Sequence, residues 1–193
     1  DVVFYVGLLL EGKIQDTLEK VESAHAVAGG IDHERLLKPA EFEGHFDPHI
    51  WFEVLLWKET IDVVVSSLGK LDPANKFDYE ANGKTAKAKM DELQQWAEAK
   101  VTEIPLQKRI LVTSHDAYNY FGRAYGFKVV GLQGISTVSE AGLADRTKLV
   151  DFLKNQKVKA IFVETTVNPE AIKAIALDAG VTVGGELFSD AMG

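Results

Sequence analysis

From residue 105 onward, the sequence alternates between short apolar runs and longer segments with helical periodicity. The apolar runs are residues 109–113, 127–131, 160–163 and 181–183. The helical segments are residues 116–125, residues 143–156, and a third that begins after Asn168-Pro169 and ends at Gly180. Strands that alternate with helices of about 10 to 15 residues form βαβ units and lie in a parallel sheet. The sequence therefore predicts the α/β fold class.

Before residue 105, the clearest signal is the start of a helix. Asp47-Pro48 precedes apolar residues at alternating steps of three and four as far as Leu71, which is the spacing of an amphipathic helix. Because Asp is a favoured N-cap and Pro a favoured first helical residue, we expect the helix to begin there, with His49 in its first turn. Upstream we expect a strand over residues 2–6, a helix over 8–21 and a connection over 24–44.

A second Asp-Pro pair, Asp72-Pro73, precedes a polar stretch that extends to about Glu103. As a single helix of some 30 residues, this stretch would be roughly 45 Å long. Three interpretations are open: a long surface helix, a helix pair interrupted near Gly83, and a rigid connector between two lobes.

The composition excludes several classes of function. The 193 residues include no cysteine, which excludes disulfide scaffolds, thiolate catalysis and cysteine-ligated metals. A formal net charge of −8 argues against non-specific binding of nucleic acid. The longest apolar stretch is far shorter than the roughly 20 residues of a membrane span. The length fits one large domain or two small lobes.

Potential metal ligands follow the predicted strands of the second half. In an open parallel sheet, ligands bind beyond the carboxyl ends of the strands. His115, Glu140, Glu164 and Asp190 each lie beyond such an end, and none of these loops has a glycine-rich phosphate-binding motif. Imidazole and carboxylate groups that converge can bind a divalent cation, and His49 could add a nitrogen from the first half of the chain.

Each of these residues also has a structural interpretation. A histidine after a strand is often hydrogen-bonded in place without touching a metal. The positive end of a helix dipole disfavours a cation beside His49. Glu140 and Glu164 can equally cap helices or accept backbone hydrogen bonds. The pattern of residues alone leaves both interpretations open.

Three motifs resemble those of the metal-binding receptors of bacterial zinc and manganese ABC importers, which are solute-binding proteins. The motifs are HFDPHIWFEVLLW (45–57), VTSHDAYNYFGRAYGFKVVGLQGISTVSEAG (112–142) and GGELFSDAMG (184–193). The resemblance extends over essentially the whole chain. It implies two α/β lobes with parallel sheets, joined by one long rigid helix, with the metal in the cleft between the lobes. The implied boundaries are residues 1–72, 73–104 and 105–193.

The resemblance also implies a set of metal ligands. The family's histidine in D-P-H-x-W falls on His49, its ligand in S-H-D-A-Y on His115, and its carboxylate in L-F-S-D on Asp190. Glu140 and Glu164 become candidates for orienting these ligands. The family's fourth ligand, a histidine, would precede this chain, and the family continues past the final S-D-A-M-G. We therefore expect a chain that is truncated at both ends.

The function implied by the resemblance is capture of Zn²⁺ or Mn²⁺ outside the cytoplasmic membrane and delivery to an ABC permease. Imidazoles favour zinc and carboxylates favour manganese, so the cargo stays open between the two. We expect a periplasmic or surface-anchored lipoprotein that contacts the membrane only through the transporter or a lipid anchor outside this chain. We expect no enzymatic activity. The alternatives are a metal-dependent hydrolase on an α/β fold and an adhesin-like interaction protein with structural histidines.

Overall fold

The structure, a computed structural model, describes residues 1–135 and 142–191. Its strands form three pairs within these ranges, and every pair is parallel. Together with the helices between them, the parallel pairs confirm the α/β class. The chain divides into two units, Asp1–Glu103 and Ile104–Gly193. The finer division at residues 72/73 and 104/105 stays a prediction.

In the first unit, one short strand pair precedes two long helices. Its elements are β1 (Val3–Tyr5), α1 (Gln15–Leu18), β2 (Ala24–Ala26), α2 (Val54–Leu71) and α3 (Lys76–Thr102). Short 3₁₀ turns occupy much of the chain between β2 and α2. Strand β2 lies within the segment that was expected to be mostly a connection.

The predicted helix over residues 8–21 is wrong, since only the single turn α1 forms there, preceded by a short 3₁₀ turn. Glu11 accepts hydrogen bonds from the backbone N–H groups of Val6 (2.7 Å) and Gly7 (3.1 Å). Leu8 and Leu9 have positive φ angles of 57° and 68°, which helical residues do not adopt. The Glu11 carboxylate therefore fixes a tight turn where the apolar spacing favours a helix.

The predicted start of the amphipathic helix at Asp47-Pro48 is also wrong. A 3₁₀ turn covers Ile50–Phe52, and α2 begins only at Val54. His49 has a ψ angle of 43°, outside the helical range, so it lies in the turn before the helix rather than in its first turn. The helix-dipole argument against a cation beside His49 therefore does not apply.

Helix α3 is a single helix of 27 residues, which excludes the helix pair interrupted near Gly83, one of the three open interpretations. Gly83 lies against α2, where an added Cβ atom would come within 2.5 Å of Val65 Cγ2. Two ion pairs of 2.5 Å also join the helices, Lys58 to Asp91 and Lys87 to Asp62. Glycine is used here because it permits close packing, although it lowers the intrinsic stability of the helix.

The second unit contains the remaining strands and helices. In chain order they are β3 (Ile110–His115), α4 (Asn119–Tyr125), β4 (Lys128–Gln133), α5 (Leu143–Asn155), β5 (Ala160–Glu164), α6 (Glu170–Ala179) and β6 (Thr182–Leu187). β3 pairs with β4, and β5 pairs with β6. Each strand and helix predicted from the sequence is present, with ends displaced by a few residues.

Apolar side chains from β3, β4 and β5 and from α5 and α6 form the core of the second unit. Its buried members are Val112, Leu132, Leu149, Leu153, Ile161, Val163, Ile172, Ile175 and Ala176. Gly126 and Gly180, with φ angles of 71° and 69°, end α4 and α6 in the left-handed conformation. Asn168 Oδ1 accepts the N–H of Glu170 (3.0 Å) at the start of α6, as its sequence position predicts. These helix ends lie just before β4 and β6 begin and just after β5 stops.

None of the helices in the described ranges combines the length and the apolar character needed to cross a bilayer.

Candidate metal centre

In the first unit, His49 is paired with the carboxylate two residues before it. Asp47 Oδ1 accepts the backbone N–H of His49 (3.0 Å) and lies 2.7 Å from His49 Nδ1. Both side chains are buried. A hydrogen bond from Nδ1 to a carboxylate holds the ring in the tautomer whose lone pair is on Nε2. Asp47 thus orients His49 and selects Nε2 as the nitrogen that can bind a metal.

The ring of His49 is also held from the side by an aromatic neighbour. The Trp51 ring lies 5.3 Å from that of His49, centroid to centroid, in an edge-on arrangement. Trp51 in turn contacts the ring of Trp57 in α2, 6.4 Å away. The HFDPHIWFEVLLW motif therefore supplies a histidine, the carboxylate that orients it, and the aromatic residues that pack around it.

In the second unit, His115 is the last residue of β3 and contacts the last residue of β5. Glu164 Oε1 accepts the backbone N–H of His115 (2.9 Å), and Glu164 Oε2 lies 2.5 Å from His115 Nδ1. Both side chains are fully buried. In the neutral form of the ring, as with His49, the contact with the carboxylate keeps the proton on Nδ1 and leaves the lone pair on Nε2. His115 Nε2 faces Asp190 Oδ2 at 3.4 Å.

The electrostatics of this cluster favour positive charge at His115. Burial lowers the pKa of His115, but the hydrogen bonds and negative charges of Asp190 and Glu164 outweigh it and raise the pKa from 6.5 to about 9. Burial, with the charges of the same two carboxylates, raises the pKa of Tyr118, so its hydroxyl remains a neutral hydrogen-bond donor. A site that stabilises a proton in this way also suits a divalent cation.

The carboxylate of Asp190 is carried by the loop that follows β6. The hydroxyl of Tyr118 donates to the carbonyl oxygen of Phe188 (3.3 Å). The hydroxyl groups of Thr166 and Ser189 are 3.1 Å apart. The residues on the amino-terminal side of Asp190 are therefore tied to two other parts of the same unit.

The candidate site residues that the structure describes lie in both units. His115, Glu164 and Asp190 are brought together in the second unit, and His49 lies in the first unit beside Asp47. Glu140 lies outside the described residues. The sequence interpretation missed the role of Asp47 because it assigned that residue to a helix cap. The Asp-x-His spacing, which lets a carboxylate reach the ring two residues later, could have revealed it.

The contacts of His49 and His115 are of a kind that metal-binding histidines commonly make. A histidine that binds a metal through one nitrogen usually donates a hydrogen bond to a carboxylate or carbonyl through the other. His49 and His115 each contact a buried carboxylate through Nδ1. Each unit therefore contains a histidine whose Nδ1 contacts a buried carboxylate, which makes His49 and His115 candidate ligands through Nε2.

Several known proteins are similar to this chain in sequence and fold. The chain is 43% identical to the manganese-binding lipoprotein MntA of Bacillus subtilis and 30% identical to PsaA of Streptococcus mitis, a manganese ABC transporter substrate-binding lipoprotein. All of the chain is covered in both comparisons, but it spans only 65% of each relative. Among solved structures, the periplasmic zinc-binding protein TroA of Treponema pallidum matches with a TM-score of 0.94 and 38% identity, over 100% of this chain and 72% of that one.

The family described as zinc-uptake complex component A, periplasmic (ZnuA), matches residues 1–193. The match includes the D-P-H, S-H-D and F-S-D motifs that supply His49, His115 and Asp190. This chain belongs to the ZnuA family of metal-binding receptors.

Proposed function

We propose that this chain is the metal-binding part of an extracytoplasmic receptor that captures Zn²⁺ or Mn²⁺ for an ABC importer. In this proposal the metal is cargo, bound by His49 Nε2, His115 Nε2 and the carboxylate of Asp190. The observation that carries the proposal is that each histidine has its Nδ1 against a buried carboxylate, at 2.7 Å for Asp47 and 2.5 Å for Glu164. Structural histidines do not need that arrangement, whereas metal ligands use it regularly.

The charges of these residues also support binding of a divalent cation. Asp190 and Glu164 raise the pKa of His115 to about 9, so near neutral pH the ring carries a proton in the absence of metal. A ligand nitrogen must lose its proton before it binds, so the metal replaces that proton. The carboxylates that stabilise the proton would then stabilise the metal ion.

The proposed cargo is zinc or manganese because of the donor types. Two imidazoles suit zinc, and a carboxylate suits manganese. The similar proteins include a zinc-binding protein and manganese-binding lipoproteins, which agrees with this mixed set. Glu140, in the S-E-A-G sequence after β4, remains a proposed orienting residue.

The proposed partner is the membrane permease of the importer, and the proposed location is the periplasm or the outer surface of the cell. The names of the similar proteins include a periplasmic protein and lipoproteins, which supports both locations. We propose no catalytic role. A receptor should bind metal stoichiometrically and should not hydrolyse esters or phosphoesters, which distinguishes it from a hydrolase.

The test is a calorimetric titration of the metal-stripped protein with Zn²⁺ and with Mn²⁺. Elemental analysis of the loaded protein then gives the number of metal ions bound per chain. We expect one ion per chain, and we expect His49→Ala, His115→Ala and Asp190→Asn each to weaken binding by at least tenfold. His33→Ala is the matched control, since His33 is exposed and lies outside the three motifs. If the affinities of His115→Ala and Asp190→Asn for both metals equal those of the unsubstituted protein, the proposed site is wrong.

A further inference from the structure

The loop that carries Asp190 depends on other parts of the second unit for its conformation. Strand β6 ends at Leu187, and Asp190 lies three residues later with its side chain 27% exposed. A carboxylate in such a loop holds one position only if the neighbouring backbone is fixed. Hydrogen bonds from outside the loop supply that restraint.

The first restraint is the hydroxyl of Tyr118. Tyr118 lies three residues after His115, immediately before α4, and only 5% of it is exposed. Its hydroxyl donates to the carbonyl oxygen of Phe188, two residues before Asp190. The same segment of chain that provides His115 therefore also ties down the loop that provides Asp190.

The second restraint comes from the end of β5. Glu164 is paired with Leu187 across the β5–β6 register, and the N–H of Thr165 donates to the carbonyl oxygen of Leu187 (3.0 Å). Beyond them, the Thr166 hydroxyl contacts that of Ser189, the residue next to Asp190. The strand end that orients His115 through Glu164 also carries the residues that hold the Asp190 loop.

We propose that Tyr118 and Thr166 are positioning residues for Asp190 and that they set the preference of the site between manganese and zinc. The inference rests on the proposed function, because it assumes that Asp190 is a ligand. Manganese favours oxygen donors, whereas zinc binds well to imidazole nitrogen. Loosening the one carboxylate in the proposed set should therefore weaken Mn²⁺ binding more than Zn²⁺ binding.

The size of the effect follows from the usual contribution of residues that orient a metal ligand. Loss of such a partner typically costs 10- to 100-fold in affinity. Tyr118→Phe removes only the hydroxyl, and the second restraint remains. We expect a loss of about tenfold for Mn²⁺ and of less than about threefold for Zn²⁺. A purely structural role for Tyr118 would change both affinities equally.

The experiment is a competition titration of both metals with purified Tyr118→Phe, Thr166→Val and Thr166→Ser proteins. Thr166→Val should shift the Mn²⁺-to-Zn²⁺ affinity ratio in the same direction as Tyr118→Phe, and Thr166→Ser should restore it because the hydroxyl is kept. The matched control is Tyr79→Phe, which removes a hydroxyl that donates to Asp72 (2.9 Å) in the first unit. This control should leave the ratio unchanged. Thermal unfolding of the metal-free proteins establishes that each variant is folded.

The outcomes separate this inference from the proposed function. A fall in the Mn²⁺-to-Zn²⁺ ratio in Tyr118→Phe and Thr166→Val, absent in Thr166→Ser, supports the inference. Unchanged affinities, or equal losses for both metals, overturn it. If Asp190→Asn weakens binding while Tyr118→Phe does not, only the positioning role fails. If Asp190→Asn has no effect on either metal, the proposed site itself fails.

Discussion

His115 should make the stability of the metal-free protein fall as the pH rises from neutral into the alkaline range. In the folded state the pKa of His115 is about 9, against 6.5 for an unperturbed histidine. Because the folded state binds the proton more tightly, this stabilisation is fully present below pH 6.5 and is lost as the pH rises through about 9. The difference between the two pKa values corresponds to about 3 kcal/mol of folding free energy.

Two measurements test this prediction. The first is the NMR titration of the His115 ring protons in the presence of a chelator, which should give a midpoint near 9. The second is the free energy of unfolding of the second unit in urea, monitored by probes in its core at about pH 6 and at about pH 9.5. His115→Gln removes the titrating group and should flatten the pH dependence over this interval. The exposed residue His33, substituted in the same way, is the control and should leave the dependence intact.

Glu164→Gln tests the cause of the shift, because it keeps the size of the side chain and removes its charge. We expect the pKa of His115 to move towards 6.5, with Asp190 retaining part of the effect. A midpoint at or below 6.5 in the unsubstituted protein would refute the reasoning, since burial would then outweigh the carboxylates. So would equal losses of stability in the unsubstituted protein and in His115→Gln between about pH 6 and about pH 9.5.

Two further predictions concern the surroundings of the histidines. Asp47→Asn should weaken metal binding by about 10- to 100-fold, because an amide cannot orient the His49 ring as a carboxylate does. Calorimetric titration measures the affinity, with Asp16→Asn, at an exposed position, as the control. Equal affinities of Asp47→Asn and the unsubstituted protein would contradict this prediction. Gly131→Ala should destabilise the second unit by about 1–3 kcal/mol, because its Cβ would lie 2.6 to 2.8 Å from backbone atoms of His115 and Asp116. Gly134→Ala, which has open space around it, should change stability by less than about 0.5 kcal/mol, and equal urea midpoints for the two alanine variants would contradict the steric argument.

The second unit could be predicted from its sequence because its local signals agree with its packing. Its strands include mainly apolar runs, such as residues 110–113 and 160–163, whose side chains are buried or half-buried and which lie between turn residues and helices. Gly126 and Gly180 end their helices as the sequence suggests. Where the spacing of apolar residues, the capping residues and the tertiary packing favour the same structure, the sequence is sufficient.

The first unit could not be predicted as well because side chains there compete for the backbone. Glu11 accepts hydrogen bonds from the N–H groups of Val6 and Gly7, so the apolar spacing beyond it does not produce the expected helix. Strand β2 contains only Ala-His-Ala, and its pairing with β1 depends on contacts distant in sequence. Local patterns carry little information about such pairings.

For the candidate site, the sequence located the groups but not all of their contacts. His115 and Glu164 were identified because each comes at the end of a strand, and the structure places them in contact. Asp47 was misassigned because Asp is favoured as an N-cap and Pro as a first helical residue. In the structure the Asp47 carboxylate instead contacts the backbone N–H and the ring of His49. Sequence spacing could not show that Tyr118 reaches Phe188, since that contact joins segments 70 residues apart.

The close packing of α3 on α2 at Gly83 should make the backbone hydrogen bonds of α3 open at different rates along the helix. Helix ends fray one turn at a time, so amide protons near Thr102 should exchange with solvent through small local openings. Near Gly83, where a methyl group would not fit against Val65, opening requires α3 to separate from α2. The ion pairs at Lys87 and Asp91 extend the same attachment along the helix. Hydrogen exchange should therefore divide this one helix into a slow central segment and a fast carboxyl-terminal end.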